Sequence, residues 1–399
     1  MMLYDEVKLH LTEDIIPFWT NLHDEEHGGY YGYYDFDRKL DKEAVKGGIL
    51  NSRILWFFSH AYLLLGEESL LAEAKHAYEF LTDACLDKNN GGVYWSVTYD
   101  GKPKDTIKHT YNQAFAIYAL SEYYDASKDE EALRLANGLY DIIESKCRDE
   151  KGYLEAFDET FQPVGNEKLS ENGVMAEKTM NTLLHVYEGY TNLYRVTKQD
   201  RVKKSLLWIL QIFADKVYNP RLKRQEVFFD KDWNSLIDLH SYGHDIETSW
   251  LIDYGCELLE EPEVTAKMFE ITKELRKTIY ERAYVNHSIL NECERGVDNK
   301  MRIWWVQAEG VLGFLNGYEK EPEKTEYWQA ANDIWNYIKT YVIDKRENSE
   351  WYWQVYQDGT PDTKKPIVEP WKCPYHNGRM CMEVIRRLQD KNTNYEMLF

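Results

Sequence analysis

Three histidines set among aromatic and carboxylate-bearing residues are the most chemically suggestive feature of this chain. They are His185 at the end of NTLLH, His244 within HSYGHDIETSW and His376 within WKCPYHNGRM. Unperturbed imidazole takes up and returns a proton near neutral pH, so several of them among sugar-sized aromatic surfaces point to proton transfer on a carbohydrate. In HSYGHDIETSW, His240 and His244 are four apart and Glu247 follows three later, so all can share one helical face. Three uses fit that face: a satisfied core histidine, a zinc-like pair with a carboxylate, or a general base with Glu247 holding a sugar hydroxyl. The intervening Glu of H-E-x-x-H is absent, which weighs against zinc. His376 follows Pro374 near the expected start of a helix, where the dipole disfavours imidazolium and favours a neutral base.

Other residues acquire meaning beside these. Asn181 and His185 are at i, i+4, so both can address one ligand, although core packing explains such a pair equally well. Arg53 enters the apolar run ILWFF and must find an anion there, a structural carboxylate or a substrate oxyanion. Adjacent residues on a helix diverge by about 100°. Of Trp304 and Trp305, therefore, one is expected to stack on a pyranose ring and the other to pack. Glu309 shares the face of Trp305.

The elements that must position these groups follow from a repeat. Gly-and-aromatic clusters recur at HGGYYGYYDFD, NGGVYWSVTYDG and KGYLEAFDETF, with weaker copies at QEVFFDKDWN, NHSILNECERG and SEWYWQVYQDG. Measured from Gly29, Gly92, Gly152, Phe228, Leu290 and Trp351, the spacings are 63, 60, 76, 62 and 61 residues. Each cluster reads as a short hairpin or extended turn. The segments between, such as GILNSRILWFFSHAYLLLG and TMNTLLHVYEGYTNLYRV, carry apolar residues at helical spacing. Two helices fit each gap, an aromatic-rich inner one and an amphipathic outer one. The expected fold is all-α, a single (α/α)6 barrel of twelve helices over residues 1–399, with short β-hairpins on the active-site side. In such a barrel Arg53, Tyr111, Asn181, His185, His244, Glu247, Trp304, Trp305, Glu309 and His376 all fall at the start of inner helices and converge at one mouth. Helix N-termini there add positive partial charge for an oxyanion.

Composition bounds the rest. With 399 residues, 43% hydrophobic and 29% charged, the chain buries a large core. A net charge of -21 argues against nucleic acid and anionic membrane, which require a basic face. The start MMLYDEVKLH has no basic and apolar leader, and no run of about 18 apolar residues occurs. Six scattered cysteines without a C-x-x-C pair suggest reduced thiols in a cytoplasmic protein rather than a zinc site. The aromatic content of 15%, with 31 Tyr and 13 Trp, suits a surface that must be apolar on one side and hydrogen-bonding on the other.

Six blocks, KGGILNSRILWFFSHAY, KHTYNQAFAIYALSEYY, KTMNTLLHVYEGY, HSYGHDIETSWL, RIWWVQAEGVLGF and WKCPYHNGRMCMEV, resemble in order the cellobiose 2-epimerases of the N-acylglucosamine 2-epimerase superfamily. The resemblance implies reversible epimerisation, without metal or other cofactor, at C2 of the reducing glucose of β-1,4-linked disaccharides, with lactose and mannobiose as further substrates. It implies His244 and His376 as acid and base, and Arg53, Tyr111, Asn181 and His185 around the reacting end. Glu247, Trp305, Glu309 and Trp371 are implied at sugar-contacting positions, and Trp250 and Trp304 are expected to join them. The implied partner is an oligosaccharide, and the implied state a monomer. An enediolate route needs a base and an acid on opposed sides of C2 and positive groups on its oxygens, the part expected of Arg53, Asn181 and His185. Competing readings are the N-acylglucosamine branch, an aldose–ketose isomerase, a glycoside hydrolase using Glu247 and Glu309, and a non-catalytic sugar binder.

Overall fold

The computed structural model describes residues 3–169 and 172–389. Among these, α1 covers 3–20, as Leu3–His10, a π-helical turn Leu11–Ile15 and Ile16–Thr20. The inner helices are α2 (Gly48–Leu65), α4 (Thr110–Ser127), α6 (Met180–Thr197), α8 (Tyr242–Leu259), α10 (Trp304–Lys320) and α12 (His376–Leu388). Between them lie α3 (68–85), α5 (130–147), α7 (200–217), α9 (Pro262–Arg282) and α11 (325–342).

Sequence pattern decides which helices are inner. In α2 every residue from Gly48 to Ser59 is buried, the behaviour of a helix with neighbours all round. In α5 the buried set is Ala132, Ala136, Leu139, Tyr140, Ile143 and Cys147, one stripe of an outer helix. Even-numbered helices pack side by side in a closed ring, α2 against α4 and so on to α12, which returns to α2. Each outer helix lies on the inner helix before it in sequence. The exception is α1, which covers α12, so the sixth pair is made from the two ends of the chain and not from consecutive helices. Close approach is needed inside the ring: a Cβ on Gly189 of α6 would lie 2.6 Å from the Ala114 carbonyl oxygen of α4.

The Gly-aromatic clusters follow the outer helices. Each begins with a tight turn closed by an antiparallel bridge, such as His23–Tyr30, Leu86–Val93, Arg148–Tyr153 and Ile343–Trp351. The chain beyond most of these turns pairs with the residues leading into the preceding inner helix, Lys46–Gly47 with Ser96–Val97, Lys108–His109 with Ala156–Phe157, and Lys178–Thr179 with Phe228–Phe229. The clusters therefore stitch neighbouring repeats together as well as forming local hairpins, such as Ser96–Val97 with Pro103–Asp105 and Glu292–Glu294 with Val297–Asn299. Tyr34 bridging Val368 closes this outer seam as α1 closes the helical ring.

Buried lysines fix the entry to several inner helices. Lys46, Lys108 and Lys178 place Nζ on Asp24, Asp87 and Asp149 at 2.5, 2.8 and 2.8 Å, and each also donates to a backbone carbonyl. Lys372 does the same with Glu350 ahead of α12. No described helix is long and apolar enough to cross a membrane, and the six cysteines are unpaired and buried.

Candidate active site

The even helices are parallel, so their N-termini gather at one end of the ring, where a cavity of about 360 Å³ opens. It is reached by side chains from all six inner helices.

His376 is the first residue of α12. Its Nδ1 lies 2.7 Å from Glu309 Oε1, and burial holds the imidazole down at about 3, with the carboxylate opposing less strongly. A neutral ring against a carboxylate donates from Nδ1, which leaves Nε2 bare as an acceptor on the cavity side. His244 lies in the first turn of α8, and its Nδ1 sits 2.6 Å from Ser241 Oγ. Burial first, then the neighbouring His185 and His376, lower it also to about 3. A hydroxyl both donates and accepts, so His244 can present either a protonated or a bare Nε2. The Trp305 indole touches both rings, with centroids 4.8 Å from His244 and 5.4 Å from His376. His185 is backed by Glu188 at 2.8 Å, and burial lowers its pKa.

Arg53 meets no carboxylate among the described residues. Its guanidinium donates to the Tyr111 hydroxyl at 2.7 Å and the Trp371 carbonyl at 3.3 Å and stacks on Phe115 and Tyr375, while Nε is buried without a partner. The structural ion pair weighed from sequence is absent among the described residues, and the charge is left for a ligand. Asn181 Oδ1, Glu247 Oε2 and Trp304 Nε1 are likewise buried and unpartnered around the same cavity. Buried polar atoms are nearly always satisfied, so four orphans in one cavity describe a polar ligand.

Glu247 and Glu309 are held by one guanidinium, Arg379, at 2.7 and 2.6 Å, which also binds Glu188 at 2.5 Å. Their environments differ. Glu309 is fully engaged, Oε1 by His376 and Arg379 and Oε2 by Trp250 Nε1, and Arg379 with His376 keeps its pKa low despite burial. Glu247 Oε2 has no partner, and burial together with the Glu309 charge pushes its pKa well up. Two carboxyls clamped on one arginine do not flank a glycosidic bond from two sides. Glu247, Glu309 and His376 also form a possible three-ligand metal group, with ligand atoms within 4.8 Å of one another. Arg379 already supplies the positive charge there, so the set fits a divalent ion poorly.

Several expectations change. His240 does not share the face of His244: it sits on the strand Leu239–Ser241 with Nε2 on Asp245 at 2.7 Å, because α8 begins only at Tyr242. The zinc-like pair is thereby broken. Trp304 and Trp305 both line the cavity, since at the first turn of α10 one side chain leans over the rim against Trp353 while the other points in. Trp250 does not line it. It lies two turns into α8, beneath Glu309 and against Arg379, and is a support for the carboxylate and not a sugar platform. Glu309 stands one layer behind the cavity wall in the same way. Trp371 is on the wall with Trp95 and Tyr111 around it. Arg379, Glu188, Tyr375 and Ser241 were not singled out from the sequence. The signal was present, for Arg379 and Glu188 each follow a cavity histidine by three residues on one helical face.

A family model described as N-acylglucosamine 2-epimerase (GlcNAc 2-epimerase) matches residues 20–377. The chain belongs to the N-acylglucosamine 2-epimerase family. Within it, a cellobiose 2-epimerase of Eubacterium cellulosolvens is 51% identical over 392 residues, covering 94% of this chain and 96% of that protein. A cellobiose 2-epimerase of Ruminococcus albus is 50% identical, covering 97% and 99%. The solved structure of cellobiose 2-epimerase from Bacillus thermoamylovorans superposes with a TM-score of 0.94 at 45% identity, covering 96% and 99% of the two chains.

Proposed function

We propose that the protein reversibly epimerises C2 of the reducing-end glucose of β-1,4-linked disaccharides, cellobiose first among them. The observation that carries the reading is an unpaired Arg53 guanidinium in one cavity with two neutral imidazoles from different helices. The ring-opened sugar places O1 and O2 toward Arg53, the Tyr111 hydroxyl and Asn181. The bare Nε2 of His376 is suited to take the C2 proton, becoming an imidazolium beside the Glu309 carboxylate, and His244, once it has taken a proton from solvent, to return that proton on the other face; His376 then gives its proton back to solvent, and the reverse reaction exchanges their parts. Deprotonation leaves the electron pair in an enediolate whose negative charge falls on the oxygens beside Arg53. Glu247 offers its unpartnered Oε2 to a sugar hydroxyl, Glu309 orients His376, and Trp371, Trp304 and Trp305 supply ring faces. All these groups come from one chain, so a monomer carries a complete site.

The test is a proton and carbon NMR time course on cellobiose in heavy water. Reducing-end mannose signals with deuterium at C2 are expected. Free glucose would instead indicate hydrolysis, and a ketose would indicate that the proton returns to C1.

A further inference from the structure

The opposite end of the ring holds a second cavity of about 380 Å³, among the C-terminal halves of α2, α4, α6, α8 and α12. We propose that this rear cavity binds a neutral, hydroxyl-rich ligand of monosaccharide size, and that occupancy is transmitted to the catalytic histidines through Glu188 and Arg379.

The size is that of a small-molecule site and matches the front cavity. One wall is aromatic: Trp56, itself buried, is stacked with His60 and with Tyr118, ring centroids 5.1 Å apart in both cases, so the ring faces left for a ligand are those of the half-buried His60, Tyr118 and Tyr254. Such faces with polar rims suit the C–H side of a pyranose. The charges around them are already neutralised in pairs. His60 Nδ1 bonds Glu122 at 2.7 Å, Arg195 bonds Glu122 at 3.0 Å and Asp125 at 2.6 Å, and Arg386 bonds Glu383 at 2.7 Å. A charged ligand would have to break one of these pairs, at a desolvation cost. A neutral polyol need break none, because carboxylates and guanidinium groups keep spare acceptor and donor positions. The hydroxyls of Tyr118 and Tyr254 make no hydrogen bond to any described residue and are free for it.

The rear cavity is joined to the front one by shared atoms. Glu188 and Arg379 line it directly. Their other contacts are His185 at 2.8 Å, the Tyr375 hydroxyl, and Glu247 and Glu309 at 2.7 and 2.6 Å. A ligand hydroxyl on Glu188 or Arg379 competes for bonds that orient the carboxylates behind His185 and His376. Binding itself is independent of the proposed epimerisation; only its effect on turnover rests on that reading.

Methyl glucoside is the probe, a pyranose that cannot ring-open and so cannot react. Its binding is followed by calorimetry in the intact protein, in Leu63→Trp at the exposed rear rim, in Tyr254→Phe, and in the front-cavity variant Trp371→Ala. Expected is saturable binding that survives Trp371→Ala and weakens about tenfold or more in either rear variant. The rear variants should also keep basal cellobiose turnover while losing the change in kcat or KM that methyl glucoside causes in the parent. Absence of saturable binding in the parent, or binding lost only in Trp371→Ala, would overturn the proposal. Rear binding in a parent that leaves cellobiose unchanged would retain the second site and remove the epimerase reading.

Discussion

At the scale of single residues, the site is a matter of which nitrogen carries a proton. His376 is fixed by a carboxylate, which admits one tautomer, whereas His244 is fixed by a hydroxyl, which admits two. Replacing either imidazole removes an acid or base worth about 10²–10⁴ in rate. His244→Ala and His376→Ala should therefore lose at least that much turnover while near-UV circular dichroism stays that of the parent. Ser241→Ala separates orientation from chemistry, since it leaves the imidazole in place but frees its Nδ1. We expect kcat to fall with KM little changed, and equal loss in both would show that Ser241 acts on binding. Arg53→Lys keeps the charge but loses the fork that reaches Tyr111 and the substrate oxygens together. Loss of one such donor typically costs about 10²–10³ in kcat, measurable by initial rates of mannose-epimer formation.

At the scale of elements, the first turns of the inner helices are built as sockets. Arg379, one turn into α12, ties α12 to α6, α8 and α10 through Glu188, Glu247 and Glu309. Breaking a buried ion pair by removing one partner costs about 3–5 kcal/mol, so Arg379→Met should lower stability by that order in urea unfolding. The same reasoning applies to Lys108→Met, which strands buried Asp87, but there the cavity histidines keep their partners. Surviving activity at low temperature is expected in Lys108→Met and not in Arg379→Met. This scale also shows how far the sequence was readable. Inner and outer helices declared themselves by period and by where polarity begins, and parallel inner helices placed ten chemistry-bearing residues near one mouth. The pairing of α1 with α12 was not legible, because nothing local in LYDEVKLHLTEDIIPFWT says that its partner lies at the far end of the sequence. Nor was the depth of Trp250 or Glu309, since helical spacing gives a direction around the axis but not whether a neighbouring side chain comes between. His240 was misplaced for a simpler reason: a one-turn error at a helix start moves a residue from helix to strand.

At the scale of the whole molecule, buried titratable groups set how stability varies with pH. His244 and His376 are held down at about 3 and His109 at about 4 in the folded protein, against about 6.5 when unfolded. The folded state thus binds fewer protons, and the stability these groups contribute is present above about pH 6.5 and lost as pH falls below it. Glu155, pushed up to about 8 by burial, and Glu247, also raised, act in the opposite sense. Their contribution is present below about pH 4.5 and lost as pH rises toward their folded values. Melting temperature should therefore peak near pH 6.5 and fall on both sides, more steeply in acid, where Glu122 and Glu188, lowered to about 2, add their own loss. Glu155→Gln should flatten the fall above the maximum, and an unchanged alkaline limb would assign that fall to other groups.

The ring closed by α1 and α12 has a consequence for how the protein is made. On a ribosome α1 emerges before the other described helices, yet α12, the surface it covers, emerges after them all, so its apolar stripe waits through the synthesis of five other helix pairs. Residue 376 arrives with that same last helix. The step that shelters α1 is thus also the step that delivers His376. A chain halted before α12 has an exposed first helix for chaperones and proteases to recognise, and no competence to act on sugar.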